Sequence, residues 1–263
     1  MRRIALLLSA VMALALIPGP AQGIVYGKLD GNRHPNVGAF VVQSPSSGNF
    51  VPICSGTLIS SDVFLTAAHC TDFLPGAGIA LDDVWVSFDP TFDQSSPMLP
   101  GTADLNENYS HKQNDPSDIA VIVLDDPVAI TPAKLPKAGV LDRMKAAGKL
   151  KDQVFTAVGY GTIRDSRKTG PQGIKDNEDR RYATQSFRSL QKAWLKLSMN
   201  EATQNGGTCY GDSGGPHFLG GPKSNHIVSS TVTGDAVCKA TDVTYRLDTP
   251  SARSYLAQFV SLP

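Results

Sequence analysis

The stretch TCYGDSGGPHF, residues 208–218, decides how the rest of this chain is interpreted. It places Ser213 between an aspartate and two glycines, with a third glycine, Gly211, just upstream. Gly, Asp and Ser all favour turns, so a tight surface turn is one interpretation. The other is a catalytic serine whose backbone has to approach a substrate closely. Only the remaining sequence distinguishes the two.

The composition is that of an ordinary globular protein. The chain has 263 residues, 41% of them hydrophobic, which suits one large domain or two small lobes that share a cleft. It carries 24 basic and 24 acidic residues, so the formal net charge is zero. Nucleic-acid and membrane-surface binders need a basic excess. We therefore expect no nucleic-acid or membrane partner, and we predict a monomer that needs no cofactor.

The first 23 residues, MRRIALLLSAVMALALIPGPAQG, have the pattern of a secretory signal peptide. Two arginines precede an apolar run, and Ala21-Gln22-Gly23 is a small-x-small cleavage pattern. The apolar run is too short for a typical membrane span, although an N-terminal anchor helix is the alternative interpretation. We predict that residues 1–23 are removed and that the mature protein is secreted.

Export changes how the cysteines are interpreted. The chain has four of them, Cys54, Cys70, Cys209 and Cys238. An even number in an exported chain suggests two disulfides, and four cysteines allow three connectivities. The pairs Cys54/Cys70 and Cys209/Cys238 give the shortest loops. A zinc site is disfavoured because no Cys-x-x-Cys spacing occurs.

Short segments rich in Val, Ile, Phe and Tyr, separated by turn residues, predict an all-β sandwich or barrel. The segments are GAFVVQ (38–43), VWVSF (84–88), IAVIVL (119–124), VFTAVGYG (154–161), HIVSSTV (226–232) and VTYRL (243–247). Only the start of TAAHC (66–70) and SARSYLAQFV (251–260) favour helix, the latter with Ser251 as N-cap. Residues 163–182 are polar and without period, which predicts a long exposed loop with solvated charges.

Two further residues have surroundings that fit catalysis. His69 lies in FLTAAHC, where an apolar strand end runs into two alanines and a cysteine. Asp118 directly precedes an apolar run, and a buried carboxylate is costly unless a group such as a histidine N–H pairs with it. A serine needs an adjacent base, imidazole is the natural base near neutral pH, and a carboxylate fixes its tautomer. These requirements predict a triad of Ser213, His69 and Asp118.

The glycines around the serine fit the same chemistry. Gly211 lets the backbone N–H groups of Gly211 and Ser213 converge on one point as an oxyanion hole. Removing one such donor typically lowers the rate by about 100- to 1000-fold. A tight turn alone does not explain why the histidine, the aspartate and the serine each have fitting surroundings.

The segments LTAAHC, SDIAVIVL and GDSGGP, in this order, resemble the signature segments of the chymotrypsin/trypsin-like serine peptidases, the reference example of the triad. IVYG, CSGTLIS, VGYG and TYRLDTP extend the resemblance over residues 24–260. The resemblance implies two six-stranded antiparallel β-barrels with a cleft between them and a C-terminal helix. We divide this peptidase domain, residues 24–263, into lobes at 24–135 and 136–263, and the short signal favours a bacterial source.

The resemblance also assigns roles to residues. It implies that Ser213 is the nucleophile, His69 the general base and acid, and Asp118 the orienting carboxylate. The amides of Gly211 and Ser213 form the implied oxyanion hole. The disulfides implied by the family are Cys54–Cys70 and Cys209–Cys238.

The specificity pocket is likewise implied by family position. Gly207 lies at its floor, Thr208 beside it, and Val243 protrudes into it and makes it shallow. Without an acid at residue 207, we expect cleavage after small or medium apolar residues and not after Lys or Arg. Asp235 and Asp242 are the alternative, because either one would supply a negative charge from the pocket wall.

The family resemblance further implies an ion pair between a free Ile24 ammonium and Asp212, the residue before the serine. The predicted signal peptide ends directly before Ile24. We therefore expect signal peptidase itself to create the active N-terminus, with no separate activation step.

A metal site is the remaining possibility. Asp82, Asp83, Asp89 and Asp93 cluster in one region, and some family members hold calcium near there, but no EF-hand spacing is present. We predict no metal.

The function expected is a secreted serine endopeptidase acting on protein or peptide substrates through an acyl-enzyme. The alternatives are a catalytically silent relative that binds a partner and an exported esterase with the same triad.

Overall fold

The computed structural model describes residues 24–110, 112–164 and 170–263. The predicted signal peptide, residues 1–23, lies outside the described residues. The strands are β1 Lys28–Leu29, β2 Val37–Gln43, β3 Phe50–Leu58, β4 Val63–Thr66, β5 Val84–Ser87, β6 Leu99–Ala103, β7 Ala120–Leu124, β8 Val154–Gly159, β9 Ile163–Arg164, β10 Ile174–Lys175, β11 Arg181–Leu190, β12 Trp194–Ser198, β13 Pro216–Leu219, β14 Ile227–Gly234 and β15 Thr241–Arg246.

Helix is scarce in this part of the chain. The α-helices are α1 Ala68–Asp72, α2 Val140–Ala146 and α3 Pro250–Leu256, with short 3-10 turns at Pro75–Ala77, Leu150–Asp152, Pro171–Gly173 and Glu201–Thr203. Within the described ranges, none of the helices has the length and apolar character needed to cross a bilayer.

The first barrel closes six antiparallel strands in the order β2-β3-β4-β7-β6-β5. Its core is built from side chains that alternate inward along these strands, as a half-buried sheet requires. The fully buried ones include Phe40, Leu58, Phe64, Val86 and Ile122. Their removal from water is the main stabilising contribution to this lobe.

The second barrel closes in the order β8-β11-β12-β15-β14-β13, since β11 pairs with both β8 and β12. β12 shows how the sequence sets its faces: Leu195 and Leu197 are fully buried in the core, while the alternate residues Trp194 and Lys196 are partly exposed on the other face. The predicted pair of six-stranded antiparallel barrels with a C-terminal helix is confirmed.

The two ends of the described chain each pack on the opposite barrel. The N-terminal segment pairs with the second barrel, with Lys28 opposite Tyr182 in an antiparallel ladder. Helix α3 packs against apolar residues of the first barrel such as Leu65, and its Tyr255 donates a hydrogen bond from Oη to Asp104 Oδ1 at 2.7 Å. The lobes are therefore connected by the chain ends as well as by the linker between β7 and β8.

Helix α3 differs from its predicted start. Thr249, and not Ser251, is the N-cap, and its Oγ1 accepts a hydrogen bond from the Ala252 amide at 3.3 Å. Pro250 occupies the first helical position, where a missing N–H costs nothing. The prediction with Ser251 was wrong because Pro250 begins the helix and leaves the residue before it as the cap.

The prediction of a solvated loop over residues 163–182 was only partly right in its described part. This part contains β9, β10 and the start of β11, and Arg164, Arg180 and Arg181 are buried. Arg164, for example, donates through Nη1 to the carbonyls of Gly170 and Val237, each at 3.0 Å. The polar sequence therefore combines buried arginines, which are bonded within the protein, with exposed residues such as Gln172, Asp176 and Glu178.

Arg180 links both barrels and the N-terminal segment. Its fully buried guanidinium donates from Nε to Asp30 Oδ2 at 3.1 Å and from Nη1 to the Val37 and Phe88 carbonyls at 3.0 and 2.8 Å. Burial opposes the charged form of Asp30, but His34 and Arg180 hold the pKa of that carboxyl below its usual range. Breaking such a buried pair typically costs about 3–5 kcal/mol.

Candidate active site

The pairing of β4 with β7 brings His69 and Asp118 together. Thr66 at the end of β4 lies opposite Ala120 at the start of β7. The residues that extend from these two paired ends therefore meet. Asp118 Oδ2 accepts a hydrogen bond from His69 Nδ1 at 2.9 Å, and Oδ1 accepts one from the His69 backbone amide, also at 2.9 Å. The carboxylate is buried while the imidazole is 30% exposed, so the ring is held from behind and open in front.

The backbone on either side of Asp118 is fixed by one side chain. Asn106 donates from Nδ2 to the carbonyls of Ser117 and Ile119, both at 2.9 Å. Ser117 has a φ of 52°, a conformation that a non-glycine residue adopts only when its surroundings enforce it. Asn106 therefore positions the carboxylate by clamping both of its neighbours.

The loop before Asp118 is also tied to the second barrel. Asp115 accepts hydrogen bonds from Tyr245 Oη at 2.8 Å and from Ser251 Oγ at 2.6 Å. Tyr245 belongs to β15 and Ser251 to α3. The position of the carboxylate loop thus depends on the packing of both lobes.

Two disulfides lie close to the site. Cys54 of β3 is bonded to Cys70 of α1, and Cys209 to Cys238, with Cα–Cα distances of 6.4 and 5.4 Å. These are the pairings that the family resemblance implies. The ligand atoms of Cys54, Cys70 and His69 lie within 4.8 Å of one another, but both sulfurs are consumed by the disulfide and are not available to a metal.

The loop that carries Ser213 is bonded to the first barrel through Ser55. The Ser55 amide donates to the Ser213 carbonyl at 2.9 Å, and Ser55 Oγ donates to the Gly211 carbonyl at 3.0 Å. The same Oγ accepts from the Tyr160 amide at 3.1 Å. Ser55 is fully buried in β3, so it serves as a joint between the barrels.

Gly214 brings the serine loop against the segment that leads into His69. A Cβ at this residue would lie 2.2 Å from Thr66 Oγ1 and 2.6 Å from the Ala67 nitrogen, and the φ of Gly214 is +78°. Both the space and the backbone conformation therefore require glycine. Ala67 stands two residues before His69, so Ser213 and His69 extend from segments in direct contact.

The loop that carries Ser213 has two backbone N–H groups, those of Gly211 and Ser213, whose hydrogen-bonding capacity is not used by the described residues. In the described part of the chain, nothing accepts a hydrogen bond from the N–H of Gly211 or of Ser213. The amides of Asp212 and Gly214 are both bonded to backbone carbonyls. Gly211 has a φ of +91°, which turns its peptide out of the regular hydrogen-bond pattern. This arrangement is what an anion-binding pair of donors requires.

Asp212 is fully buried beneath the serine loop. Its Oδ1 accepts from the Gly161 amide at 2.8 Å and its Oδ2 from the Cys209 amide at 2.9 Å. Burial raises the pKa of Asp212 to about 7, and the two amides offset only part of that shift. A Cβ at Gly159 or Gly161 would lie within 2.5 Å of this side chain, so the glycines of VGYG make room for the carboxylate.

Ile24 is buried on the second barrel, in a cluster with Ala157 and Ala183. Val25 forms an antiparallel bridge with Gly207, whose amide donates to the Val25 carbonyl at 2.9 Å. The oxygens of Asp212 are bonded to backbone amides, as described above, and Ile24 is not among their partners.

Two adjoining spaces lie at this junction. A cleft of about 820 Å³ is lined by residues that include His69, Asp118, Tyr109, Trp194, Lys196 and Val243. A smaller pocket of about 260 Å³ is lined by residues that include Thr208, Tyr210, Ser213, Thr231, Asp235 and Ala236. Val232 and Thr233 border both spaces. The histidine and the serine therefore open onto neighbouring parts of one groove.

The three residues expected in the specificity pocket occupy different places. Thr208 lines the smaller pocket together with Ser213. Val243 lines the larger cleft, beside His69. Gly207 is packed from behind, since a Cβ there would lie 2.3 Å from Gln185 Nε2 and 2.5 Å from Met199 Cγ.

The acids near the pocket are both held by groups of the protein. Asp235 accepts hydrogen bonds from the backbone amides of Lys239, Ala240 and Thr241. Burial opposes its charged form, but these amides hold the pKa of Asp235 below its usual range. Its carboxylate thus organises the turn that ends at β15.

Asp242 is fully buried behind the pocket. Its Oδ2 accepts from Gln185 Nε2 at 2.8 Å and from His217 Nε2 at 3.0 Å. Burial opposes the charged form, but the charge and hydrogen bond of His217 hold the pKa of Asp242 below its usual range. The contact between His217 and Asp242 was not predicted, because nothing in the two separate segments indicates that they meet.

Sequence reasoning also missed Ser55 and Asn106. CSGTLIS contained a signal for Ser55, because a small polar residue beside a cysteine before the histidine segment fits a tight contact. Asn106 lies in an unpatterned loop whose sequence gives no indication of its role.

The geometry agrees with comparisons to known proteins. A model of the Trypsin family matches residues 24–253. "Trypsin, alkaline C" of Manduca sexta is 28% identical over 235 residues, covering 83% of this chain and 85% of that protein. "Venom plasminogen activator Haly-PA" of Gloydius brevicauda is 30% identical over 198 residues, covering 70% and 68%. "Serine protease filzig" of Drosophila melanogaster is 27% identical over 81% of this chain but only 13% of its own length.

The chain therefore belongs to the trypsin family. It is a serine-type endopeptidase, a hydrolase of peptide bonds.

We expect Gly214→Ala to destabilise the protein by about 1–3 kcal/mol, the usual effect of overpacking a tight contact. The new Cβ would collide with Thr66 Oγ1 and the Ala67 amide. Urea unfolding of the two variants measures the effect, with Gly221→Ala as control because nothing lies within 4 Å of its Cβ position. Equal stability of the two variants would contradict the contact.

Proposed function

We propose that the protein is a secreted serine endopeptidase that cleaves protein or peptide substrates through an acyl-enzyme. Ser213 is the nucleophile, His69 the general base and acid, and Asp118 the orienting carboxylate. The observation that carries the proposal is the 2.9 Å hydrogen bond from His69 Nδ1 to Asp118 Oδ2, with the imidazole open to the groove that Ser213 also lines.

The chemistry follows from that hydrogen bond. With the proton on Nδ1 held by Asp118, His69 Nε2 carries the lone pair that accepts the Ser213 Oγ proton as Oγ attacks the scissile carbonyl. Asp118 then stabilises the imidazolium. The protonated His69 gives its proton to the leaving amine, which departs and leaves an ester on Ser213. A water molecule, activated by His69 in the same way, hydrolyses that ester.

The oxyanion of each tetrahedral intermediate binds to the amides of Gly211 and Ser213. Their lack of acceptors within the described part of the chain supports this role. Because the donors are fixed by the bonds of Ser55 to the loop, they need no reorganisation when charge develops. Such preorganised donors are a large contribution to catalysis.

Secretion is supported by the signal-peptide pattern of residues 1–23 and by membership of the trypsin family. A bacterial source remains a prediction. The three relatives described above come from a snake, a moth and a fly, and none of them supports it.

Ser213→Ala is expected to lower kcat for peptide hydrolysis by about 10⁶-fold, as loss of the nucleophile does in serine peptidases. Ser46→Ala, in an exposed turn, should retain full activity. Turnover of a peptide library and thermal unfolding of both variants are the measurements. Near wild-type turnover by folded Ser213→Ala would contradict the proposed triad.

Hydrolysis of esters but of no peptide by the wild type would indicate an exported esterase. If the wild type hydrolyses neither, it would be a catalytically silent relative.

We further propose that the enzyme cleaves after small or medium apolar residues. Gly207 carries no charge, and the two nearby acids, Asp235 and Asp242, are satisfied by backbone amides and by His217. The smaller pocket, about 260 Å³ in volume, suits a side chain of modest size. Apolar pockets discriminate by only about 1–3 kcal/mol per methylene, so the preference is broad.

Mass-spectrometric analysis of a diverse peptide library tests this preference. We expect cuts after residues such as Ala, Val and Leu to outnumber cuts after Lys and Arg. The same library is then treated with Asp242→Asn and Asp235→Asn. Dominant cleavage after Arg in the wild type, lost in either variant, would overturn the proposal and identify the acid that binds the basic side chain.

We also propose that the free ammonium of Ile24 pairs with Asp212 in the mature enzyme. The support is the deep burial of Ile24 on the second barrel and the buried Asp212 carboxyl, whose oxygens accept hydrogen bonds from the Gly161 and Cys209 amides and whose pKa is raised by burial to about 7. The small-x-small pattern Ala21-Gln22-Gly23 places the predicted signal-peptidase site directly before Ile24.

A form with one extra Ala before Ile24 is expected to lose most activity relative to the form that begins at Ile24. A carboxyl with a folded-state pKa of about 7 against 3.8 ordinarily destabilises the folded state as pH rises between those values. The ammonium lowers that folded-state pKa, so the Ile24 form should lose less stability between about pH 4.5 and about pH 7. The pair's contribution fades as pH rises through the raised pKa of the amine, above its ordinary value of about 7.7–8.0.

Urea unfolding at both pH values and peptide turnover measure these differences. N-terminal sequencing of the secreted protein is the direct check on where the mature chain begins. Equal activity and equal pH dependence of the two forms, or a mature start elsewhere than Ile24, would contradict the ion pair.

A further inference from the structure

The cleft beside His69 carries a concentration of positive charge. Three of its lining residues are lysines: Lys112, Lys192 and Lys196. Among the described residues that line it, the only acid is Asp118, which is hydrogen-bonded to His69. The whole chain has a formal net charge of zero, so the excess of lysines is a local property of this cleft.

The lysines are not used inside the protein. In the ranges that the structure describes, no carboxylate forms an ion pair with any of the three, and none of their side chains donates a hydrogen bond. Lys112 and Lys192 are exposed, and Lys196 is half-buried. Their ammonium groups are therefore available to a ligand in the cleft.

The framework around the lysines is fixed. Lys196 lies opposite Val243 in the β12–β15 ladder, and Val243 lies opposite Thr233 in β14, so one row crosses the floor of the cleft. The wall is tied to that floor because Trp194 Nε1 donates to the Gln113 carbonyl at 2.8 Å. Lys112 and Lys196 are thus carried on elements that are bonded to each other.

We propose that this cleft selects substrates with acidic side chains among the three residues that precede the scissile bond. The inference rests on the proposed peptidase function. The residue whose carbonyl is attacked sits in the smaller pocket beside Ser213, and the cleft continues from that pocket past Val232 and Thr233. An extended peptide that runs along this edge of β14 places its preceding side chains among the three lysines. The recognised class is an acidic peptide segment followed by a small or medium apolar residue.

If the lysines recognise the substrate, kcat/KM depends on substrate charge and on salt, which it would not do in a purely apolar cleft. An exposed lysine–carboxylate pair typically changes affinity by about two- to fivefold. Two or three pairs acting together, at about threefold each, should therefore raise kcat/KM by about 10- to 30-fold. The Debye length is about 10 Å at 0.1 M salt and about 3 Å at 1 M, so the preference should shrink strongly at high salt.

The test compares three fluorogenic peptides that share one cleavage site. The first has Glu at the three positions before the residue in the pocket, the second has Gln there, and the third has Gln there and Glu at the three positions after the cleaved bond. We expect the first to exceed the second by about tenfold or more in kcat/KM at low salt. The third should not exceed the second.

Lys196→Gln and the triple change of Lys112, Lys192 and Lys196 to Gln should reduce the ratio of the first peptide to the second stepwise. Lys196→Glu should reduce it further than Lys196→Gln does. Lys223→Gln is the matched control, since it removes the same charge from an exposed turn that does not line the cleft, and it should leave the ratio unchanged.

Binding of the Glu peptide to Ser213→Ala, measured by fluorescence anisotropy, gives a readout that is independent of turnover. Its Kd should rise on Lys196→Gln in that background. Equal cleavage of the first two peptides by the wild type, or a ratio that the triple variant leaves intact, would overturn the lysine proposal alone. Failure to cleave any of the three peptides would overturn the peptidase function on which it rests.

Discussion

The contact between the serine loop and β3 is the constraint on which the rest of this protein depends. A single buried residue of the opposite barrel, Ser55, fixes the Gly211 carbonyl through its hydroxyl and the Ser213 carbonyl through its backbone amide. Since one barrel supplies His69 and Asp118 and the other Ser213, any sliding between the barrels would separate the three residues of the proposed triad. A few hydrogen bonds at the junction, with no space for a Cβ at Gly214, convert two independent cores into one site. The closeness of that fit also explains why the chain uses glycine there.

Buried charge is the second theme of the structure, and the protein compensates it in different ways. Asp118 accepts hydrogen bonds from the backbone amide and ring of His69, which fits its proposed catalytic role, whereas Asp30 is bonded to Arg180 and His34 and has a structural role. Asp212 accepts hydrogen bonds from two backbone amides, which offset only part of the rise in its pKa that burial causes. The site therefore sits on a group whose charge state responds to its surroundings, in contrast to the other two.

Much of the fold could be predicted from sequence because strand-forming segments are short, apolar and separated by turn residues. The six segments quoted, from GAFVVQ to VTYRL, each overlap one of the observed strands. The local sequence pattern gave a wrong prediction where contacts between distant residues determine burial. Arg180 was predicted to be solvated, yet its guanidinium donates to carbonyls that lie more than ninety residues away along the chain. The Asp242–His217 contact and the lysine-lined cleft arise only when separate strands assemble, so no single stretch of sequence reveals them. His69, Asp118 and Ser213 could be singled out because each lies within a distinctive local motif.

The crossed attachment of the chain ends has a consequence for how the molecule responds to force and to damage. The segment before β2 adheres to the second barrel, and α3 adheres to the first. Separating the lobes thus requires breaking the contacts of both terminal segments at the same time. Removal of either terminal segment by an exopeptidase would leave the contacts of the other segment to hold the lobes together. The lobes should consequently unfold as one cooperative unit while both terminal segments are intact, and the groove between them should be rigid.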